Sequence, residues 1–391
     1  MVVNNIDKKY EEYIIKVRRY LHQNPELSWK EYNTSRMIEK ELKDIGIKTE
    51  RIGNVGVVGI IETGNDGNVV GLRADMDALP IEEKTDVEYK SKNKFMHACG
   101  HDCHMAMLLG ASKYIFDIRH SLKGKIKLVF QPAEETGLGA KIIIDSGFLD
   151  DVKYMFGMHI WGELESGKFS FEKGAVMASA DTITIKIDGN ASHGASPENG
   201  IDAIVTAAAI ILNIQSIVSR NIAPVEPAVI TLGTINGGDR ENIIPKYVEI
   251  KGTVRTFSNE VRKNVEDRLR NVIENTARTY GAKASLEYVY CPPPLINDNE
   301  LVDLVNNIVT DIFGKEELTT MGKIMASEDF AFYAENIRSI YGFLGCGSKN
   351  IGKYPNHSDK FVVDEKVLNM GANLYVEFVK KILKSNLQII H

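Results

Sequence analysis

The first part of the chain alternates between segments with helical periodicity and segments with strand periodicity. Apolar residues at helical spacing predict helices over residues 10–21 and 37–45, with Gly46 as the stop, and a third helix over 104–118. Short, almost fully apolar runs predict buried strands at 55–61, 69–73, 126–131 and 154–158. Buried strands separated by helices indicate an α/β architecture with a largely parallel sheet.

A second pattern begins near Ala180. Strand periodicity at 183–187 is followed by a helix over 202–219, strands at 229–235 and 247–257, a helix over 259–280 and a strand at 284–290. This β-α-β-β-α-β order is that of a ferredoxin-like domain.

Three consecutive prolines at 292–294 end the second pattern, because proline cannot continue a helix or a central strand. After them we expect a helix over 301–313, a helix that opens at Ser327, a strand at 339–344 and a helix over 364–383. The sequence therefore predicts two domains. Residues 1–179 and 292–391 form the larger α/β domain, into which a smaller domain of residues 180–291 is inserted.

The composition is that of an ordinary globular protein, with 43% hydrophobic and 26% charged residues. A net charge of −6 without a dense Lys/Arg block argues against nucleic acid as a partner. The N-terminal segment MVVNNIDKKYEEY lacks the apolar core of a signal peptide, and we expect a cytoplasmic protein with no membrane partner. The 4 cysteines are too few for a disulfide framework.

The segment MHACGHDCH, residues 96–104, is the densest cluster of metal-binding side chains. Imidazole, thiolate and carboxylate bind borderline divalent ions, and an extended backbone could present Cys99 and His101 to one ion. A structural zinc site is the alternative, but such a site usually takes four nitrogen or sulfur ligands, and no second cysteine pair completes it.

Polar residues also follow the predicted strands. Asp75 and Asp77, the pair Glu134 and Glu135, His159, and Asn356 with His357 come after four separate apolar runs. Any one of them is ordinary as a turn, helix-cap or surface residue. Ligand sites form at the carboxyl ends of strands in open α/β sheets, and four such ends together favour a metal site.

The glutamate pair suits hydrolysis. One carboxylate can bind a metal while its neighbour takes a proton from metal-bound water, whose pKa falls from 15.7 to about 7.

Two residues of the smaller domain suit substrate binding. His193, in a loop between strand and helix, could donate to an oxyanion, and Arg255 could clamp a carboxylate. The alternative for His193 is an ordinary loop histidine, and the alternative for Arg255 is a salt bridge on the face of the sheet. The spacing of the residues does not decide between these interpretations.

With these residues in place, the chain resembles a known metallopeptidase family over nearly its whole length. The family includes aminoacylases, hippurate hydrolase, thermostable carboxypeptidases and the plant hydrolases of auxin (indole-acetyl amino acid) conjugates. The resemblance rests on segments in the family's order: RRYLHQNPELSWKEYNTS, GLRADMDALPIEE, MHACGHDCHMAMLLGA, LVFQPAEETGLGA, GMHIW, SHGASPENGIDA, NIIP, GTVRTF, MASEDFAFY and PNHSDKF.

The resemblance implies a catalytic α/β domain with two divalent metal ions per subunit, and a satellite domain that forms a homodimer or a homotetramer. The expected ligands are Cys99, His101, Glu135, His159 and His357. It also implies Glu134 as general base and Asp75 as the acidic residue behind the site, with Asp77 as the competing choice. His193 matches a satellite-domain histidine that reaches the partner subunit's site in related dimers. Arg255 matches a residue that contacts the substrate. With a thiolate ligand at Cys99, the resemblance does not decide whether the native metal is zinc, manganese or cobalt.

The sequence therefore predicts metal-dependent hydrolysis of the amide bond of N-acyl amino acids, or of short peptides with a free carboxylate. The first alternative is a catalytically silent metal-binding or regulatory relative. The second is a thiol switch of Cys99 and Cys103, which is disfavoured because their spacing is not the two-residue interval of thioredoxin-type motifs.

Overall fold

The computed structural model describes residues 8–349, 351–352 and 354–384 and divides into two units. Unit 1 consists of Met1–Gly174, Ile296–Gly322 and Asp329–His391. Unit 2 consists of Ala175–Leu295 and Lys323–Glu328.

The strands, in chain order, are β1 (Lys48–Ile52), β2 (Gly56–Glu62), β3 (Val69–Asp75), β4 (Lys125–Gln131), β5 (Tyr154–Glu165), β6 (Phe169–Ser170), β7 (Gly174–Met177), β8 (Asp181–Asp188), β9 (Ser192–His193), β10 (Ala228–Gly237), β11 (Ile243–Ile244), β12 (Tyr247–Thr256), β13 (Lys283–Val289), β14 (Leu295–Asn297) and β15 (Arg338–Gly347). The helices are α1 (Lys8–Gln23), α2 (Tyr32–Ile45), α3 (His101–Ile118), α4 (Gly139–Asp145), α5 (Ala203–Ser216), α6 (Asn259–Thr279), α7 (Asn299–Ile312), α8 (Ala331–Ala334) and α9 (Lys366–Lys384).

Unit 1 is built on a mixed sheet in the order β1-β2-β4-β3-β5-β15-β6. The central strands β4, β3, β5 and β15 run parallel, whereas β1, β2 and β6 pair antiparallel at the two sides. Strand β3 is buried along its whole length, as expected for a strand covered on both faces. The predicted α/β class with a mostly parallel sheet is confirmed.

Helix α3 lies inside unit 1, where it packs against α1, α9 and β3. Its residues from His101 to Ser112 are all buried, so the helix has no solvent face over its first three turns. A helix that is buried on every side belongs in a core, and this one carries the end of the metal-binding segment, His101–His104, into the centre of the unit.

Unit 2 has an antiparallel sheet in the order β10-β12-β8-β13, with β10 at one edge. Ile183, Ile185 and Ile187 of β8 point into a core that they share with α5 and α6. Together with the chain order β8-α5-β10-β12-α6-β13, this arrangement is the ferredoxin-like one that the sequence predicts.

Some predicted elements were wrong in their extent. Strand β5 continues beyond residue 158 to Glu165 because its parallel pairing with β15 continues, with His159 opposite Phe343. His159 therefore lies inside the strand and not after it. The helix expected to open at Ser327 is only the single turn α8. Strand β1 was missed because it is an edge strand whose first four residues are polar, and only its last residue, Ile52, is apolar and buried.

Candidate metal centre

The side chains of the site come from five places in unit 1. Asp75 is the last residue of β3 and Asp77 follows it, while Glu134 and Glu135 lie in the 3-10 turn Glu134–Thr136 after β4. His101 is the first residue of α3, His159 lies in β5, and His357 lies in the loop between β15 and α9. The parallel strands bring these segments to one edge of the sheet.

Cys99 is at the centre of the predicted ligand set. Its Sγ lies 3.3 Å from Nε2 of His159 and 3.3 Å from Nε2 of His357. Nε2 of His357 is also 3.3 Å from Oε1 of Glu135. Ligand atoms about 2.0–2.3 Å from one tetrahedral ion are themselves about 3.5 Å apart, so these spacings are those of side chains that share an ion.

His101 connects this group to the acidic side chains. Its Nε2 lies 3.8 Å from Asp75, 4.0 Å from Glu134 and 3.9 Å from Glu135, measured to carboxylate oxygens. Three triads overlap: Cys99 with His101 and His159, Cys99 with Glu135 and His357, and His101 with Glu134 and Glu135. Within each triad the ligand atoms are within 4.8 Å of one another.

Three atoms of this set are buried without a hydrogen-bond partner among the described residues: Nδ1 of His101, which lies toward Asp77, together with Nε2 of His101 and Oε1 of Glu135. A buried polar atom left without a partner costs about 1–3 kcal/mol, more when it is charged. Nε2 of His101 and Oε1 of Glu135 both face the other predicted ligands. The donor set therefore fits divalent ions, which would satisfy both atoms at once.

The charges at the site also favour a bound cation. Burial and the charges of Glu135, Glu134 and Asp75 raise the pKa of the Cys99 thiol well above its usual range. Burial opposes the protonation of His101, but Asp75 and then Asp77 outweigh it and raise its pKa to about 10. The site is thus a concentration of negative charge, and a bound cation reverses both tendencies by favouring the thiolate and the neutral imidazole.

Contacts to the rear of the His159 and His101 imidazoles fix their orientation. Nδ1 of His159 donates to the carbonyl oxygen of Ile160 over 2.6 Å, which leaves Nε2 with its lone pair toward Cys99. Nδ1 of His101 lies 3.3 Å from Oδ1 of Asp77. A carboxylate or carbonyl behind a ligand imidazole selects its tautomer and raises its basicity.

Asp75 and Asp77 have different partners. Asp77 lies behind His101, whereas Asp75 accepts a hydrogen bond from Nδ1 of His104 over 2.6 Å and pairs with Arg73 over 2.7 Å. Nε2 of His104 in turn accepts the amide of Ile160 over 2.9 Å. Asp77 therefore supports the predicted ligand His101 from behind, whereas Asp75 binds the buried His104.

Unusual backbone conformations hold these side chains in place. Gly100 has φ 94°, and a Cβ there would lie 2.4 Å from Cδ1 of Ile160, so only glycine fits between Cys99 and His101. Ala133, before the glutamate pair, and His357 have φ of 55° and 69°. Non-glycine residues adopt this region rarely, and such strain concentrates at functional sites.

Sequence reasoning assigned no supporting role to two residues that hold the site in place. His104 belongs to the MHACGHDCH segment, but no role was assigned to it. Asn356 donates from Nδ2 to the carbonyl oxygens of Cys99 and Ile160, and accepts the amide of Gly162. Its position next to His357 was the available signal, but its contacts depend on the continuation of β5.

His193 and Arg255 both lie in unit 2. His193 is exposed in β9 and lines a cavity of about 530 Å³ together with Arg240 and Asn242. Arg255 donates to the carbonyl oxygen of Met325 over 2.9 Å and is not one of the residues that line this cavity. Arg240 was not singled out in the sequence, and Asn242 appeared only as the first residue of the NIIP segment, without a role of its own.

The profile of peptidase family M20/M25/M40 matches residues 71–381 of this chain. The chain belongs to peptidase family M20/M25/M40. This M20-family chain is similar to thermostable carboxypeptidase 2 of Saccharolobus solfataricus, with 41% identity over 377 residues, 95% of either chain. It is also similar to N-acetyl-L-cysteine deacetylase of Bacillus subtilis, with 41% identity over 378 residues, 96% of this chain and 89% of the relative.

The fold of the M20-family chain is shared by a solved structure from Bacillus subtilis, described as a dinuclear metal binding peptidase from the M20 family. The TM-score is 0.86 at 32% identity, with coverage of 97% of this chain and 99% of the other. The expected family, the fold class and the reaction class of an amide-bond hydrolase are thereby confirmed.

Proposed function

We propose that this chain hydrolyses the amide bond of N-acyl amino acids, or of short peptides with a free carboxylate, at two divalent ions in unit 1. The observation that carries the proposal is the convergence of Cys99, His101, Glu135, His159 and His357 in overlapping triads beside Glu134. Relatives named as a carboxypeptidase and as a deacetylase of an N-acyl amino acid support this substrate class.

The five ligands offer one thiolate, three imidazoles and a carboxylate. This mixture suits borderline ions, and we propose zinc, manganese or cobalt. When bound, the ions would supply Lewis acidity to the scissile carbonyl and to a water molecule.

We propose Glu134 as the general base. It takes the proton of the attacking water and passes it to the leaving amine. Its amide donates to Oδ1 of Asp77 over 3.0 Å, and its carboxylate lies 4.0 Å from His101, so it is held beside the ligands. Asp77 and Asp75 act as positioning residues in this proposal, the first through His101 and the second through His104.

Unit 2 would recognise the substrate. His193 would donate to the oxyanion, and its cavity contains Arg240, whose guanidinium suits a carboxylate. Arg255 remains a second proposal for the carboxylate contact. In this proposal residues 1–179 and 292–391 form the catalytic domain and residues 180–291 the satellite domain.

We further propose that unit 2 forms a homodimer, from which a homotetramer could be built, with His193 serving the partner subunit's site. Helix α5 exposes Ile204, Val205 and Leu212, and Leu212 is 72% exposed. The segment Ala203–Asn221 has the length and composition of a membrane span, with 33% of its window buried. An exposed apolar face of this kind marks a surface that another protein covers. A cytoplasmic location remains a prediction.

The test is hydrolysis of N-acetylmethionine and of hippurate by the purified protein, before and after removal of metal, with zinc, manganese and cobalt added back separately. We expect no hydrolysis without metal and restored hydrolysis with at least one ion, with close to two ions bound per chain. Metal-loaded protein that cuts neither these compounds nor blocked dipeptides would contradict the proposal.

A further inference from the structure

The turn that carries the glutamate pair is held by two carboxylates through three consecutive amides. The amide of Ala133 donates to Oε1 of Glu31 over 2.8 Å. The amides of Glu134 and Glu135 donate to the two oxygens of Asp77 over 3.0 and 3.1 Å. Each of these three amides thus donates to one carboxylate oxygen, and the position of the Glu134 and Glu135 side chains depends on these acceptors.

Glu31 belongs to the segment RRYLHQNPELSWKEYNTS, for which the proposed chemistry has no use. Its side chain is completely buried, and among the described residues its other oxygen, Oε2, has no hydrogen-bond partner. No ion pair involves it in the described part of the chain. Burial, together with the charge of Asp77, raises the pKa of Glu31 to about 7. Placing a carboxyl group here is therefore costly for stability, and an apolar side chain would avoid the cost.

The backbone of Glu31 is itself fixed. Its carbonyl oxygen accepts the amide of Ser35 over 2.9 Å and the Ser35 hydroxyl over 2.6 Å, in the first turn of α2. Ser28, from the same segment, donates to Asp77 over 2.7 Å. The segment before α2 thus supports both carboxylates.

The amide held by Glu31 belongs to the strained residue of the turn. Ala133 has φ 55°, a conformation that an alanine does not hold unless its surroundings impose it. Without the Glu31 acceptor, the buried amide would be unsatisfied and the turn would relax toward a conformation that pairs it. A displacement of about 1 Å is enough to lower catalysis by about 100-fold when it moves a reacting group.

We propose that Glu31 is a positioning residue, which holds the turn so that Glu134 faces the water and Glu135 faces the metal. The inference rests on the proposed function of that site. It assigns to Glu31 an acceptor role that needs a carbonyl-type oxygen at its present distance, and it does not require a negative charge.

The experiment compares Glu31→Ala, Glu31→Asp and Glu31→Gln in the full chain. Glutamine keeps an oxygen that can accept the Ala133 amide, and we expect kcat within about threefold of wild type. Alanine removes the acceptor oxygen. Aspartate keeps a carboxylate, but its side chain is one methylene shorter, so the oxygen no longer reaches the Ala133 amide. For both we expect kcat to fall about 10- to 100-fold at saturating metal, with KM within about twofold. Zinc affinity, measured by competition with a chelating dye, should also fall, because Glu135 moves with the turn.

Glu26→Ala is the matched control. Glu26 lies in the same segment and its carboxylate accepts the amides of Asn33 and Thr34, each over 2.8 Å, but it has no contact with the turn at 133–135. Its replacement should leave kcat and zinc affinity unchanged even if the melting temperature falls. Such a result separates positioning from a general loss of stability.

The outcomes are distinguishable. Folded Glu31→Ala or Glu31→Asp with wild-type kcat and zinc affinity would overturn the inference, and so would an equal loss in Glu31→Gln. If alanine prevents folding, the aspartate and glutamine variants decide the question. A wild-type protein that binds zinc but cuts no amide would instead contradict the proposed function, while the zinc affinities would still test the turn.

Discussion

The Sγ atom of Cys99 lies 3.3 Å from Nε2 of His357, although the two residues are 258 positions apart in the chain. The same sulfur lies 3.3 Å from His159, so Cys99 belongs to two of the overlapping triads. In the proposed centre, a residue shared in this way would help to bind more than one ion, and its loss should affect the whole centre.

Replacing Cys99 with serine should therefore lower the affinity for zinc by at least about 10-fold, because a hydroxyl is a much poorer ligand than a thiolate. Dialysis against a graded series of chelator concentrations, followed by metal analysis, measures the change. Cys346→Ala is the control, since Cys346 is a buried thiol in β15. Equal metal retention by Cys99→Ser and wild type would argue against a thiolate ligand.

Replacing Glu134 with glutamine should reduce kcat by about 100-fold or more, because the amide cannot accept a proton from water. Metal content should stay near that of wild type, since the five proposed ligands are intact. Steady-state kinetics and metal analysis on the same preparation provide both values. If the glutamine variant keeps most of its activity, Glu134 is not the general base.

The exposed face of α5 can be tested through Leu212. Glutamate at this exposed position should convert the proposed dimer to a monomer while leaving the melting temperature within a few degrees, because few internal contacts are lost. Light scattering coupled to size-exclusion chromatography measures the mass. If His193 serves the partner's site, the monomer should also lose activity. Wild-type protein that is monomeric at micromolar concentration would contradict the dimer.

In unit 2, acid should weaken a specific interaction of Glu266. Partial burial opposes its ionisation, but hydrogen bonds from Tyr290, Lys263 and Arg270 outweigh burial and lower the pKa of Glu266 to about 2. The unfolded value is about 4.3, so ionised Glu266 stabilises the fold above that pH, and the contribution disappears between about pH 4 and pH 2.

Glu266→Gln should therefore be less stable than wild type at pH 6, by about 1 kcal/mol or less because the group is solvent-screened. The difference should shrink toward zero near pH 2. Urea unfolding at several pH values measures it. A difference that stays constant from pH 6 to pH 2 would show that the charge of Glu266 does not contribute.

The proposed ligands could be selected from the sequence because each one follows an apolar run or lies in the 96–104 cluster, and strand ends meet at one edge of a parallel sheet. His159 was selected as a proposed ligand even though the end of its strand was misplaced, since its place in the candidate set does not depend on where pairing stops. The length of β5 does depend on pairing with β15, a long-range contact that no local pattern reveals.

The supporting residues were harder to anticipate. The resemblance favours Asp75 over Asp77 as the acidic residue behind the site. Only the fold shows that Asp75 accepts a hydrogen bond from His104, whereas Asp77 lies behind His101. Glu31 belongs to the segment RRYLHQNPELSWKEYNTS, and no role was assigned to it from the sequence. Its burial follows from the packing of that segment against the turn after β4, more than a hundred positions away.

The distance in sequence between Cys99 and His357 also sets the order of events during biosynthesis. A ribosome-bound chain has made Cys99, His101, Glu135 and His159 long before it reaches His357, and all of unit 2 is translated in between. The nascent protein can thus offer only part of its coordination sphere. In the proposed centre, full metal loading would wait until His357, which follows the last strand of the central sheet, has emerged, so it would belong to the final stage of maturation.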